Sequence, residues 1–469
     1  MNKSAKDRRV LMRGGKSPLE RFTYEQALSR NLLGTNSGNL IFADAVFKTL
    51  YTGNTEIVTN GYSAKPKDAE SINGNYDLFA LPFANAFRKS FLPILDRFTL
   101  LIDQLNIPTV VMGIGVQSKL ADTKFDELKF MNASVKAFCK TVLRRSASIG
   151  VRGEITYSYL RSLGFGDHEI DIIGCPSMFY FGPVFPETQK TTSLSQDDPL
   201  SINLSPYVKG IRQLFRTNAD YYTNMDYITQ NNESLDQILW LGQSLSKTGK
   251  VFPKSAEHSL FKLDKVRHFI DTSTWLKHLE KRKFVFGTRI HGNIAGLLAG
   301  TPSFLLVHDS RTLELAEYFH IPHVKFGGYE ESLLAEDLLS MADYTKLHNA
   351  HPDNFRRWIA FLEKNDIDHV HTSKNDSGQA FDTCLQETKL SPSISTFQHQ
   401  PNEVIFQRSI EKGFEDSQRI KDLTKKVKAL ESQSKKDQAE ISRKIKQLNE
   451  KKFSYYLKRI IQKIRHKRR

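Results

Sequence analysis

An arginine and a histidine one residue apart, Arg289 and His291, follow the apolar run Phe284-Val285-Phe286-Gly287 and precede a helical stretch, Asn293 to Ala299. A guanidinium is a planar fork of donors that grips a phosphate or carboxylate in two bonds, and an imidazole exchanges a proton near neutral pH. The free N–H groups of a helix start attract the same anions. Thr288-Arg289-Ile290-His291-Gly292 therefore reads as an anion-binding turn with a titratable group beside it. Two other segments repeat the pattern. Gly150-Val151-Arg152-Gly153-Glu154 sets an arginine between an apolar run and a helix, and His308-Asp309-Ser310-Arg311 closes the run Thr301 to Val307. Arg152 and Arg289 are candidate anion holders, while His291, Glu154 and Asp309 are candidates for proton transfer, where a positioned acid contributes on the order of 10² to 10⁴ in rate. A lone Arg-x-His has an ordinary explanation, because such an arginine often pairs with a carboxylate and such a histidine often caps a turn. Recurrence of the pattern at three strand ends favours function.

Those ends need a scaffold that brings them together. Short apolar runs bounded by glycine turns, Tyr76 to Leu81, Pro108 to Ile114, Ala147 to Val151 and Ile170 to Ile173, alternate with helical stretches such as 38–50 and 154–163. Runs apolar on both faces are buried parallel strands, and their alternation with helices predicts βαβ units. After a stretch rich in Pro, Thr, Ser and Asp, 183–199, the alternation restarts. Leu200 to Leu204, Lys250 to Pro253 and Lys283 to Gly287 are its strands, and 235–246, 274–281 and 313–319 its helices. The expectation is an α/β protein with two Rossmann-like domains, 31–190 and 191–371, preceded by an N-terminal extension, 1–30. In open parallel sheets the ligand lies beyond the carboxyl ends of the strands, where all three arginine clusters fall.

Of the net charge of +15, +13 falls in residues 416–469, with 19 Lys and Arg against 6 Asp and Glu. The body is thus nearly neutral and the tail strongly basic, which reads as contact with a polyanionic surface, whether anionic lipid, an acidic glycan or nucleic acid, with nucleic acid not the expected partner. Residues 372–415 lack sustained pattern and read as a linker. In 416–450, Ile420, Leu423, Val427, Leu430, Ile441 and Leu448 keep one alternating 3-and-4 register that Ser434, Asp437 and Lys444 interrupt, an imperfect coiled coil suited to self-association. Residues 451–469 mix aromatic and aliphatic side chains with cations and contain no acid, the composition of an amphipathic helix on an anionic membrane surface. No secretory signal and no apolar run of transmembrane length is present, so the expected location is cytoplasmic, peripheral at the inner membrane face. Three scattered cysteines, Cys139, Cys175 and Cys384, argue against a disulfide framework and a thiolate zinc site.

The run Phe286-Gly287-Thr288-Arg289-Ile290-His291-Gly292-Asn293, with Ala299-Gly300-Thr301-Pro302 and His308-Asp309-Ser310-Arg311, resembles the C-terminal signature of the polysaccharide pyruvyltransferase family. Gly150-Val151-Arg152-Gly153-Glu154 with Tyr159-Leu160-Arg161-Ser162-Leu163-Gly164 is similar to the family's N-terminal Val-Arg-acid helix, and Gly113-Ile114-Gly115-Val116-Gln117 and Gly38-Asn39 extend the match to roughly residues 31–330. The resemblance implies a GT-B-like fold of two domains facing a cleft. It also implies transfer of pyruvate from phosphoenolpyruvate to a sugar as a ketal, without metal or other cofactor. It places donor binding on Arg152, Arg289 and His291, and brings Gly115, Gly292, Asn293 and Arg311 into the candidate substrate-binding set. The acceptor would be a glycan or a lipid-linked oligosaccharide. In place of the glycine-rich turn that many members carry after their second strand, this chain has Ala80-Leu81-Pro82-Phe83-Ala84-Asn85, on the acceptor side of the cleft.

Phosphoenolpyruvate carries a phosphate and a carboxylate, so the chemistry itself asks for several fixed cations and a proton donor to the methylene carbon. Two rival readings are a nucleotide-sugar glycosyltransferase on the same fold and a non-catalytic coiled-coil scaffold or nucleic-acid binder. Asp366, Asp368, His369 and His371 have metal-ligand types but crowd into one short stretch, which reads as a polar turn. Gly113-x-Gly115 lacks the third glycine of a dinucleotide fingerprint.

Overall fold

The computed structural model describes residues 8–118, 125–240, 252–253, 257–372, 375 and 377–466. Residues 1–399 form one compact unit and 400–469 a second. In the first unit, strands β1 (Arg8–Met12), β2 (Thr55–Thr59), β3 (Leu78–Pro82) and β4 (Thr109–Met112) make a parallel sheet in the order β2-β1-β3-β4. Strands β5 (Ile149–Val151) and β6 (Ile170–Ile172) continue it through the Ile114–Val151 bridge, with Ile114 N–H donating to Gly150 O at 3.0 Å. The second sheet is parallel throughout, in the order β12-β11-β10-β7-β8-β9. Its strands are β7 (Leu200–Asn203), β8 (Met225–Thr229), β9 (Val266–His268), β10 (Phe284–Gly287), β11 (Ser303–Val307) and β12 (His323–Lys325).

Residues 1–30, expected to be an extension, instead supply a central strand. β1 pairs with both β2 and β3, and Val10, Leu11 and Met12 are buried. Its sequence, Arg-Arg-Val-Leu-Met, hides a half-apolar strand inside a basic context, which is why charge dominates the reading. The same segment reaches the other half of the unit, where buried Lys16 forms an ion pair with Asp271. The expected strand at 250–253 and the end of the helix at 235–246 fall partly outside the described residues. Leu235 lies in the helix Asn232–Trp240, and Phe252 and Pro253 form a bend joined by a cis peptide.

Three apolar clusters organise the unit. One fills the outer face of the first sheet, with Phe79, Phe83, Phe98 and Phe138, and another the outer face of the second, with Phe215, Tyr227, Phe284 and Phe304. The third runs between the halves and joins them, through Ile41, Phe42 and Val46 of the helix Gly38–Leu50, Ile294 and Leu297 of the helix Ile290–Leu298, and Trp358 and Phe361 of the helix Thr345–Lys364. Complete burial of a side chain such as Phe42 contributes on the order of 1.5 to 3 kcal/mol, so this shared core opposes separation of the halves. The Thr345–Lys364 helix returns to the first half, where Asn365 just beyond it accepts from the N–H groups of Ala147 and Ser148 at 3.0 and 3.2 Å.

Residues 372–415, read as a linker, contain the helix Gln379–Glu387, whose Phe381 is buried in the shared core, and the start of a long helix. The second unit is that helix, Asn402–His466. It leaves Ile420, Leu423, Val427, Leu430, Ile441 and Leu448 exposed along it. Among the described residues no helix is long and apolar enough to cross a membrane.

Candidate active site

The carboxyl ends of both sheets open on one cavity of about 420 Å³. Arg13 follows β1, Phe83 to Arg88 follow β3, Gln117 lies past β4 and Arg152 follows β5, while from the second sheet come Tyr207, Gln230, Arg289, His308 and Arg311. Five arginines therefore face the same space. No Asp or Glu among the described residues lines it. The charges press on one another, since burial first, and then Arg311, Arg13 and Arg152, bring the Arg88 guanidinium down to about 10. Arg13 is likewise brought down to about 10 by burial. A cluster of cations crowded into partial burial is relieved by an anion, and by a multiply charged one most of all.

Each arginine is held in place by the protein. Arg152 is 2% exposed, and its Nε donates to Gly113 O at 3.1 Å, while one terminal nitrogen finds no hydrogen-bond partner among the described residues. A Cβ at Gly115 would stand 2.5 Å from Arg152 Cδ, so the glycine is what lets this side chain lie along the β4 turn. Arg289 is the N-cap of the helix Ile290–Leu298. Its backbone N–H donates to Asn203 Oδ1 at 3.0 Å, its Nε to Leu204 O at 2.9 Å and a terminal nitrogen to Asn231 Oδ1 at 2.9 Å. Gly287, at φ +143°, lets β10 run against β7 at the same point, where a Cβ would meet Asn203 O at 1.8 Å. The helix thus begins at Ile290 rather than at Asn293, and His291 sits in its first turn instead of in a loop.

His291 is a buried, neutral imidazole. Burial, then the Arg152 and Arg311 charges, lower its pKa to about 3, and its Nε2 lies 3.6 Å from Cys175 Sγ. Cys175 therefore has a histidine partner that the sequence did not reveal, although burial pushes its thiol up and it lies outside the cavity lining. His308 is also on the wall. Burial, with Arg311 and Arg289, lowers its pKa against the pull of Asp309, whose Oδ2 is 3.5 Å from Nε2. Asp309 caps the helix Ser310–Phe319, accepting from Thr312 N–H at 3.1 Å, and pairs with Arg311 Nε at 2.8 Å. Burial alone would raise its pKa, but Arg311 and His308 outweigh that and hold it below the usual carboxylate range.

A model of the polysaccharide pyruvyl transferase family matches residues 36–310, more than half of the chain. The chain belongs to that family. No curated protein gives a significant match. Solved structures give distant likenesses. The putative UDP-N-acetylglucosamine 2-epimerase of Listeria monocytogenes is 11% identical over 79% of this chain and 97% of its own, at a TM-score of 0.42. Anabaena Alr3699/HepE in complex with UDP and glucose is 14% identical over 81% of this chain and 100% of its own, at a TM-score of 0.37. The UDP-GlcNAc 2-epimerase of Methanocaldococcus jannaschii is 10% identical over 76% and 99%, at 0.39. Likenesses at this level carry no argument about the substrate.

In this pyruvyl transferase the fold brings Arg152, Arg289, His291 and Arg311 to one cavity and leaves the other expected site residues outside its lining. Glu154 is exposed on the first turn of the helix Glu154–Ser162. Asp309 is an ion-paired cap, which fits it poorly for the acid role first considered. Asn293 is fully buried and braces the Arg289 turn, donating to Gly287 O at 3.1 Å and Arg289 O at 3.0 Å. Gly292 packs where a Cβ would meet Asn203 Cγ at 2.6 Å, so it, like Gly115, acts by leaving room. The Asp366, Asp368, His369 and His371 stretch lies away from the cavity, and among the described residues no group of three or more His, Cys, Asp or Glu is arranged to hold a metal ion.

Sequence reasoning missed Arg13 and Arg88, and His308 as a wall residue. Arg13 carries the signal already used for Arg152, an arginine directly after an apolar run, but the surrounding charge obscured it. Arg88 lies in an irregular segment after β3 with no periodicity to reveal it.

Proposed function

We propose that this pyruvyl transferase uses phosphoenolpyruvate as donor and joins its pyruvate unit, as a ketal, to two hydroxyls of a polysaccharide or lipid-linked glycan in cell-surface polysaccharide biosynthesis. The observation that carries the reading is the cavity lined by five arginines and no carboxylate among the described residues. Phosphoenolpyruvate brings two anionic groups a few bonds apart, and a site of this size and charge suits it. Arg152 and Arg289 approach from different sheets, so one can hold the carboxylate while the other meets the phosphate, and preorganised cations stabilise the charge that builds on phosphate as it leaves.

The reaction balances without oxidant or metal. The methylene carbon gains one proton, two hydroxyl oxygens form bonds to the central carbon, and its bond to the phosphate oxygen breaks. One hydroxyl proton replaces the proton delivered to the methylene, and the other departs on hydrogen phosphate. Burial first, and then Arg152 and Arg311, keep His291 neutral in the free protein; a bound donor offsets only the arginine part, and we assign His291 as the proton donor in that complex.

The same proposal gives the C-terminal segment a supporting role: self-association along the exposed register of the Asn402–His466 helix, and attachment of the basic sequence 451–469 to an anionic membrane surface at the cytoplasmic face. The direct test is to incubate the protein with phosphoenolpyruvate and a panel of glycans, following phosphate release and a pyruvate-sized mass gain on the glycan. Binding of phosphoenolpyruvate together with ketal product is the expected result. Release of phosphate without any glycan product, or no binding at all, would count against the reading.

A further inference from the structure

Cys175 is fully buried between the halves of the first unit, in their shared core and outside the arginine cavity. It follows β6 on a turn that hangs from β5, where the N–H groups of Ile173 and Gly174 donate to Val151 O at 3.0 and 3.2 Å. Val151 directly precedes Arg152, so one anchor serves both side chains. From the second half comes His291, whose Nε2 stands 3.6 Å from Cys175 Sγ across 116 residues of chain. Ser177, also fully buried, sets its Oγ 2.9 Å from the same sulfur. Hydroxyl, thiol and imidazole thus form a row that leads from the core to the cavity wall.

The inner end of the row sets the sense of its hydrogen bonds. Burial pushes the thiol's pKa up, against the pull of Arg152 and Ser177, so the sulfur keeps its proton. The Ser177 hydroxyl has that sulfur as its partner among the described residues, and the Ser177 backbone N–H reaches it too. A buried hydroxyl proton needs an acceptor, so Ser177 O–H donates to the sulfur and the S–H is left for His291 Nε2. The opposite sense would leave the Ser177 proton without an acceptor. A neutral imidazole whose Nε2 accepts carries its proton on Nδ1. That nitrogen lies beside Gly38, where a Cβ would stand 3.0 Å from it, and Asn36 and Asn39 on either side line the cavity.

We propose that Cys175 is a positioning residue for proton transfer: its thiol fixes the tautomer of His291, so that Nδ1–H is the group turned to the cavity. The assignment rests on His291 as proton donor for its chemistry but not for the tautomer. When the ring gains a proton on Nε2 in the donor complex, that N–H turns to the sulfur, a weak acceptor, and the S–H turns to Ser177 Oγ. Nδ1–H therefore faces the donor in both states. In the step itself the proton leaves Nδ1 as the C–H bond forms at the methylene carbon, and the ring, keeping its Nε2 proton, becomes neutral. The first acceptor hydroxyl returns a proton to Nδ1 as its oxygen bonds the central carbon. A carboxylate in place of the thiol would favour a charged ring in the free protein, and an apolar side chain would leave the tautomer unset.

Ring-nitrogen NMR of the histidines in the free protein tests the tautomer without donor, because a protonated ring nitrogen and a bare one resonate apart. His291 is assigned by the signals lost in His291→Gln. The expected result is a proton on Nδ1 in the wild type and a mixture of tautomers in Cys175→Ala. A wild-type proton on Nε2, or an unchanged tautomer in Cys175→Ala, overturns the assignment. In turnover, Cys175→Ala should lower kcat about three- to tenfold, the worth of one neutral hydrogen bond, with the KM for phosphoenolpyruvate unchanged. Cys175→Ser should recover most of that rate, since a hydroxyl both donates and accepts. Equal losses in the two variants would show that the thiol only fills space. Cys139→Ala removes an equally buried thiol from the outer face of the first sheet and should leave both kcat and the His291 tautomer as they are. A matching loss there would also overturn the role of Cys175. If the wild type binds no phosphoenolpyruvate in calorimetry, the donor reading and the proton step fail together, while the NMR result still decides whether the thiol sets the ring.

Discussion

Arg289 makes three hydrogen bonds to Asn203, Leu204 and Asn231, so its orientation is set before any ligand arrives. Replacing it with alanine should weaken phosphoenolpyruvate binding about 10- to 100-fold, the loss of one or two charge-assisted bonds, as read by calorimetry. Arg289→Lys should recover little, because a point charge on a flexible stem cannot bond Leu204 and Asn231 and still present a fork to the ligand. An unchanged affinity in either variant would move the donor elsewhere. His291 supports a pH prediction. Its pKa of about 3 in the free protein lies far below the ordinary 6.5, with burial as the main cause and Arg152 and Arg311 adding to it; a bound anion offsets the arginine part and so raises the pKa from that value. Donor binding should therefore take up a proton, and affinity should fall as pH rises through the raised value in the complex. Titrations in two buffers of different protonation enthalpy should give different apparent heats for the wild type, with a smaller difference for His291→Gln. Equal differences in the two proteins would remove His291 from the proton path.

At the scale of elements, the site depends on close approaches that glycine allows and on one buried carboxylate. Gly115→Ala should leave the fold in place yet displace Arg152, since the new methyl would stand 2.5 Å from Cδ. The measurable outcome is a melting temperature near that of the wild type with donor binding greatly weakened, and normal binding would show that Arg152 has another path. Glu314, on the Ser310–Phe319 helix, accepts from Thr156 N–H at 2.6 Å and pairs with Thr156 Oγ1 at 3.0 Å, joining the first turn of the Glu154–Ser162 helix to the second half. Burial raises its pKa to about 7 from the ordinary 4.5, against hydrogen bonds from Thr156 and the charge of Arg152. The folded chain thus keeps a proton there that the unfolded chain has lost. The associated stability is fully present below pH 4.5 and declines as pH rises to about 7, by at most ~1.4 kcal/mol per unit. Glu314→Gln cannot titrate, so its stability relative to wild type should increase across that same window in urea unfolding at a series of pH values. A constant difference would show that Glu314 does not titrate there.

At the scale of the molecule, residues 1–399 contain both sheets, all three apolar clusters and the whole cavity. A chain ending at His399 should melt as the full chain does, bind phosphoenolpyruvate equally and sediment as a smaller species. The full chain should associate through the exposed Ile420, Leu423, Val427 and Leu430 register. Flotation with anionic vesicles should separate full-length protein from a 1–450 truncation. Equal flotation would end the membrane role, and a monomeric full chain would end the self-association.

The sequence by itself determined that this is an α/β protein with parallel sheets, and it pointed to Arg152, Arg289, His291 and Arg311, because burial on both strand faces and helix starts after strands leave local marks in residue order. It also separated the basic C-terminal segment from a nearly neutral body. What only the tertiary structure decided is everything that depends on which strand ends meet. Arg13 and Arg88 join the cavity because β1 and β3 are neighbours in the first sheet, a pairing between residues about 70 positions apart that no short window of sequence contains. Asn293 and Asp309 carry the right chemistry but are occupied by a turn and a cap. The proton chemistry was likewise out of reach of spacing, since it is burial and opposing arginines from two sheets that keep His291 neutral. Local pattern records which face of an element is apolar. The energy of a site is set by groups that become neighbours only when the chain closes on itself.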